Sequence, residues 1–288
     1  MKKFLLFILL HAAMTMSLPA QEIISTAYLE CKYKYYCNTD TLSAEKNAER
    51  NKWRSSVSED QMVLLIGKEA SAFYSYYTAQ YDSICAVEKE RNKANPMALI
   101  HIIREKKLPK GNSWRIYKNY PAGKLTYTDR ILDYYKYEEE YAPQPWEIKG
   151  DTTTVLGYTC QMATCNFRGR NYTAWFTTEI PVSEGPWKFN GLPGLIMKIE
   201  DASRHYSFEI IGIRQVADTP ICFQEQKYIK VSRKEFMKHN KKFLDDPVGF
   251  INNNSGGKIK ITPTNGTKDN DLLAPQKIRY DFLEKDYR

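Results

Sequence analysis

The feature that most constrains this chain is a succession of short tyrosine-rich segments cut apart by turn residues. Residues 114–120, 124–129 and 132–137 are separated by Pro121, Ala122 and Gly123 and then by Asp129 and Arg130. Aromatic and β-branched side chains suit a pleated, half-buried surface, and Gly, Pro and Asp between such runs mark reversals of direction. The pattern predicts an antiparallel meander. Further strands are expected over 24–36, 62–66, 71–77, 146–149, 155–167, 171–178, 195–199 and 206–213. With 21 Tyr, 12 Phe and 5 Trp, the expected fold class is mainly β (α+β): a single curved antiparallel sheet partly covered by helices. Helices are expected at 41–54, at 79–92, and from the capping box Ser232 to Glu235 as far as about Leu244. Residues 252–271, heavy in Asn, Gly, Thr and Lys, read as a loop. No internal repeat and no break in composition divides the chain, so a single domain is expected over 21–288.

Residues 1–20 place two lysines before an apolar run from Phe4 to Leu10 and a small-residue end. This is the layout of a secretory signal peptide, with Gln21 as the expected first mature residue and the periplasm or cell envelope as the expected location. The apolar run is far short of the roughly 20 residues that span a bilayer, and no transmembrane segment is expected after the leader is removed. The formal charge of +8 falls to +6 with the loss of Lys2 and Lys3. Basic residues are scattered along the chain and form no stripe, so nucleic-acid binding is not expected.

Six cysteines (Cys31, Cys37, Cys85, Cys160, Cys165, Cys222) lie in the mature part. Oxidation is open to them in an exported chain, and the sequence does not choose a pairing. Cys160 and Cys165 are an odd number of residues apart and would face opposite sides of an unbroken strand. No CxxC pair is present and His101, His205 and His239 are far apart in sequence, so neither a metal site nor a cofactor is expected. No GxSxG elbow, HExxH pair or Walker loop occurs, and no catalytic residue is assigned.

Residues 175–200 (WFTTEIPVSEGPWKFNGLPGLIMKIE) are the most distinctive passage. Pro181 ends a strand, because it offers no amide to a ladder. Gly185 and Pro186 make a turn. Leu192, Pro193, Gly194 and Leu195 fit a type II turn, with Gly194 at positive φ. Trp187, Phe189 and Leu192 supply apolar mass to hold the loop on the sheet. The string Gly191-Leu192-Pro193-Gly194-Leu195-Ile196, with Gly157-Tyr158, Cys160, Ala163, Gly169-Arg170, Ala174-Trp175-Phe176, Glu179-Ile180-Pro181 and Gly185-Pro186 before it in order, resembles the GLPGLI family of exported Bacteroidota proteins (Porphyromonas-type). That resemblance covers about residues 146–215 and implies an envelope-located protein with no catalytic residues to carry over. The layout is also similar to the half-barrel of periplasmic lipoprotein carriers (LolA-like).

Two readings of this passage compete. Trp187, Phe189 and the turn serve as a structural staple, or they form the lip of a ligand groove on which Trp175 or Trp187 stacks. Arg168, Arg170, Glu179 and Glu184 form a candidate charged ligand-binding set, against the alternative of exposed cross-strand ion pairs worth about 0 to 1 kcal/mol each. The expected function is a non-enzymatic binding or carrier module for an apolar or peptide-like ligand or an envelope partner. The alternatives are a hydrolase of unfamiliar type and a structural component of the envelope.

Overall fold

The computed structural model describes residues 22–38, 57–91, 111–254 and 282–286. The leader, the helix expected at 41–54, residues 255–271 of the expected loop, and His101 lie outside these residues. Twelve strands form one open, curved sheet: β1 (Glu22–Asn38), β2 (Val57–Gly67), β3 (Ser71–Ser75), β4 (Arg115–Lys118), β5 (Lys124–Arg130), β6 (Tyr134–Glu140), β7 (Glu147–Val155), β8 (Tyr158–Phe167), β9 (Arg170–Thr177), β10 (Leu195–Asp201), β11 (Tyr206–Phe223) and β12 (Tyr228–Lys230). Their spatial order is β12-β6-β5-β4-β3-β2-β1-β11-β10-β9-β8-β7. Two antiparallel meanders, β1 to β6 and β7 to β11, are joined side by side where β11 pairs with β1. Only the short β12 runs parallel to its neighbour, β6. Three helices, α1 (Tyr76–Arg91), α2 (Arg233–Asp245) and α3 (Pro247–Asn254), accompany the sheet in the described residues. None of them is long and apolar enough to cross a membrane.

β1 shows how the sequence makes this sheet. Leu29, Cys31, Tyr33, Tyr35 and Cys37 are buried on one face, as a period of two dictates. A register shift between Ala27 and Leu29 sends Ala27 to the opposite face. β2 buries both faces, with Met62, Leu64 and Ile66 toward the main core and Val63 and Leu65 toward a second cluster that includes Tyr117 and Phe223. On β9, Tyr172, Ala174 and Phe176 enter the main core. α2 starts at the expected capping box: Ser232 Oγ accepts from the Glu235 amide, and the Glu235 carboxylate accepts from the Ser232 amide. It lays Phe236 and Met237 on Tyr135 and Tyr137 of β6.

Several expected boundaries move, each for a physical reason. The strand expected over 155–167 is split by a two-residue turn at Leu156 and Gly157, both at positive φ (49° and 83°), which matches the twist of a tight hairpin. β7 instead runs on through Gly150 and Asp151, with a bulge between Ile148 and Thr152. Residues 76 and 77, expected in a strand, open α1, whose Thr78 amide donates to Ser75 Oγ. β11 extends ten residues past Ile213 because β1 is long enough to pair with it up to Phe223. Residues 252–254 complete α3.

The type II turn expected at Gly194 is also corrected. Gly194 has no positive φ; the left-handed glycine of the hexapeptide is Gly191 (φ 93°). Gly194 is required by close approach instead, since a Cβ there would stand 2.0 Å from the Thr177 carbonyl oxygen.

Candidate functional site

β6 and β7 lie near opposite edges of the sheet, so the connection between them has to cross the sheet face. It meets the loop between β9 and β10 on that face. Asn190 donates its amide to Gln144 Oε1 (2.8 Å), and Trp146 donates its indole N–H to the Asn190 carbonyl (2.7 Å). Trp187 and Phe189 are buried among the rings of Phe167, Tyr172 and Trp146. Neither ring is exposed, and the loop packs on the main core.

A buried ammonium fastens this loop. Lys118, fully buried on β4, donates to Glu184 Oε2 (2.9 Å), to the Gly185 carbonyl (2.6 Å) and to the Phe189 carbonyl (2.9 Å). Ser71 and Tyr141 hydroxyls donate to the other Glu184 oxygen. Burial lowers the Lys118 pKa, and Glu184 opposes that shift. Glu184 thus pairs with a buried ammonium and two hydroxyls and lies apart from Glu179, which is exposed.

The other arginines of that set do come together, in company the sequence did not announce. The β8–β9 hairpin turns on Arg168 and Gly169, both at positive φ (51° and 76°), which sets Arg168 and Arg170 side by side at its tip. Arg170, nearly fully buried, pairs with Asp201 at 2.8 Å and lies over the Tyr206 ring. Asp201 is held in turn by the His205 and Tyr206 amides. Lys188 reaches the same place from the β9–β10 loop, and Arg233 from the first turn of α2. These four cations surround residues 282–286. Arg170 donates to the Phe282 carbonyl (3.1 Å) and the Leu283 carbonyl (3.2 Å), and the Lys285 amide donates to the Arg168 carbonyl (2.8 Å).

The acidic side chains of that segment complete the cleft. Lys188, 1% exposed, contacts Glu284 Oε1 at 2.6 Å, Glu139, and the Tyr137 hydroxyl at 3.1 Å. Arg233 spans Glu284 and Asp286. Arg168 contacts Glu139 and Asp286. Burial would raise the Glu284 pKa, but Lys188, Arg233 and Arg168 overcome it and hold the carboxyl below its usual range. Asp286 is likewise held down by Arg233 and Arg168 against its own desolvation.

The remaining candidates lie elsewhere. Trp175 is half-buried on the other face of β9. It lines a shallow hollow of about 270 Å³ with Thr153, Leu156, Lys198, Glu209 and Ile210. Glu179 is exposed and accepts from the Thr159 amide at 2.9 Å. All six cysteines are free thiols, and Cys160 and Cys165 are both buried. Burial, with Glu184 and Glu30, pushes the Cys31 thiol up to about 12, and burial pushes Cys165 up to about 12. Thiols held protonated in this way are poor nucleophiles. Among the described residues, no three His, Cys, Asp or Glu side chains gather as metal ligands do.

Lys188, Arg233, Glu284 and Asp286 escaped the sequence reading. The one available signal was Lys188 itself, a cation between two core aromatics, Trp187 and Phe189.

No curated protein matches this chain. Two structures of PNGF-II, in different space groups, are similar at 11% identity over 74% of this chain, with TM-scores of 0.45 and 0.44. This chain spans 32% of their length, and a likeness of that size decides nothing about function. Residues 167–198, which carry the β8–β9 turn, the loop and Lys188, match the family described as protein of unknown function (Porph_ging).

Proposed function

We propose that this chain is an exported, envelope-located binding module of the GLPGLI type, without catalytic machinery, that holds a peptide-like segment in the four-cation cleft. The observation that carries this reading is the way residues 282–286 are seated. Arg170 takes two successive main-chain carbonyls, and Lys188, Arg168 and Arg233 take the acidic side chains. A cleft that grips main chain and charge together has the means to hold a peptide segment. The leader-like residues 1–20 and the hexapeptide Gly191 to Ile196 support the location and the family. The apolar-carrier version is set aside, because Trp187, Phe189 and Leu192 occupy the face it would use.

Mass spectrometry of the full chain recovered from its native envelope tests this reading. A co-purifying peptide or protein segment is expected. Recovery with lipid alone, or turnover of a substrate that a single substitution abolishes, would overturn it.

A further inference from the structure

We propose that the cleft recognises a segment of the form apolar-apolar-Glu-x-Asp on a partner protein, and that residues 282–286 are its occupant in cis, competing for the same contacts. The inference rests on the peptide-binding reading above and adds the ligand chemistry and the competitor.

Four of the five positions of the segment meet a matching surface. Phe282 packs on the cluster of Tyr135, Tyr137 and Phe236, and Leu283 on the main core. Glu284 is buried between Lys188 and Arg233. Lys285 is exposed, so the fourth position is not read through burial. Asp286 bridges Arg168 and Arg233.

Charge shows what the cleft requires. Three of its cations, Arg168, Lys188 and Arg233, share three carboxylates, and two of these belong to the segment itself. With the segment withdrawn, Glu139 alone would face all three. Lys188 would then keep Glu139 as its one carboxylate and share it with Arg168 and Arg233, so the vacated cleft favours a replacement carboxylate pair of the same spacing. A donor also stands in reserve: Arg168 Nε is buried without a hydrogen-bond partner and lies 3.9 Å from Glu284 Oε2. Arg170, fixed by Asp201, reads main-chain carbonyls that any sequence offers, so specificity falls to the two acids. A competitor on the same chain is present with every copy of the cleft, which masks it from a dilute partner.

The test is fluorescence anisotropy with a labelled synthetic peptide spanning residues 281–288. Its control is the same peptide with Gln for Glu and Asn for Asp at the two recognised positions. Both are titrated into the full chain and into full-length Glu284→Gln/Asp286→Asn, whose own segment has lost both carboxylates. The double variant is expected to bind the acidic peptide at least tenfold more tightly than the wild-type chain does, and neither protein is expected to bind the control. Equal binding of acidic and control peptides by the variant overturns carboxylate recognition while leaving peptide binding intact. Equal affinity of wild type and variant for the acidic peptide overturns competition in cis. Absence of binding in both overturns this inference and the peptide-binding reading together. If the double variant does not fold, Asp286→Asn alone, which touches only the outer acid, is expected to give a severalfold gain, and no gain contradicts the proposal.

Discussion

At the scale of single residues, buried charges are the determinants of this molecule, and each is satisfied in a different way. Lys118 has one carboxylate and two carbonyls, a complete set for an ammonium with three donors. Removing one partner of a buried pair leaves the other uncompensated at a cost of about 3 to 5 kcal/mol. Lys118→Met is therefore expected to lower unfolding stability by that amount in urea titration, and Lys118→Met/Glu184→Gln to recover part of it. A loss below about 1 kcal/mol would mean that the aromatic packing alone holds the loop.

Asp129 behaves differently. Burial pushes its carboxyl up to about 6, against donation from Ser113, the Arg130 amide and Tyr127. An unfolded Asp titrates near 4, so between about pH 4 and 6 the folded chain holds the extra proton, and this contribution to stability is lost as pH rises through about 6. Asp129→Asn is expected to lose less stability than wild type between pH 5 and 7.5. Parallel urea midpoints for the two proteins would contradict this assignment.

At the scale of elements, the β9–β10 loop shows why motifs and conformations part company. Trp187 sits at φ 51°, a strained backbone for a bulky residue, and its ring is clamped by Phe167 and Phe189 at 5.8 and 5.2 Å. Gly194→Ala would drive a methyl into the Thr177 carbonyl. It is expected to cost more than about 2 kcal/mol, and thermal unfolding close to the wild-type temperature would contradict that. The sequence marked this residue as special but assigned the wrong reason, because a glycine needed for close approach looks the same as one needed for positive φ. β1, the Tyr172, Ala174 and Phe176 face, and the Ser232 capping box were legible because periodicity and capping are local. The far half of β11 was not: residues 214–220 carry Arg214, Gln215, Asp218 and Thr219 and end on Pro220, and the length of β1 draws them into the sheet. β12 was missed for the same reason, as its three residues gain strand character from β6 alone.

At the scale of the whole molecule, two meanders joined along β1 and β11 leave two connections between strands far apart in the sheet, β6 to β7 and β11 to β12, and the first of these packs with the β9–β10 loop on the core. The cationic cleft lies where this filled face meets α2 and residues 282–286. Arg168 and Arg170 were visible within a candidate charged set with Glu179 and Glu184, but their actual neighbours were not, since contacts such as Lys188 with Glu284 join residues 96 apart in sequence. The depressed pKa of Glu284 and Asp286 carries a whole-molecule consequence: their hold on the cleft is complete above the ordinary carboxylate range near 4 and is lost as pH falls through their lowered values. The central claim is that charge, more than apolar contact, seats the segment. The most direct measurement is the affinity of the acidic 281–288 peptide for full-length Glu284→Gln/Asp286→Asn at about 50 mM and about 500 mM salt, where screening shortens from over 10 Å to well under it. At least a tenfold weakening is expected at high salt, and an affinity that does not change with salt would show that charge does not seat the segment.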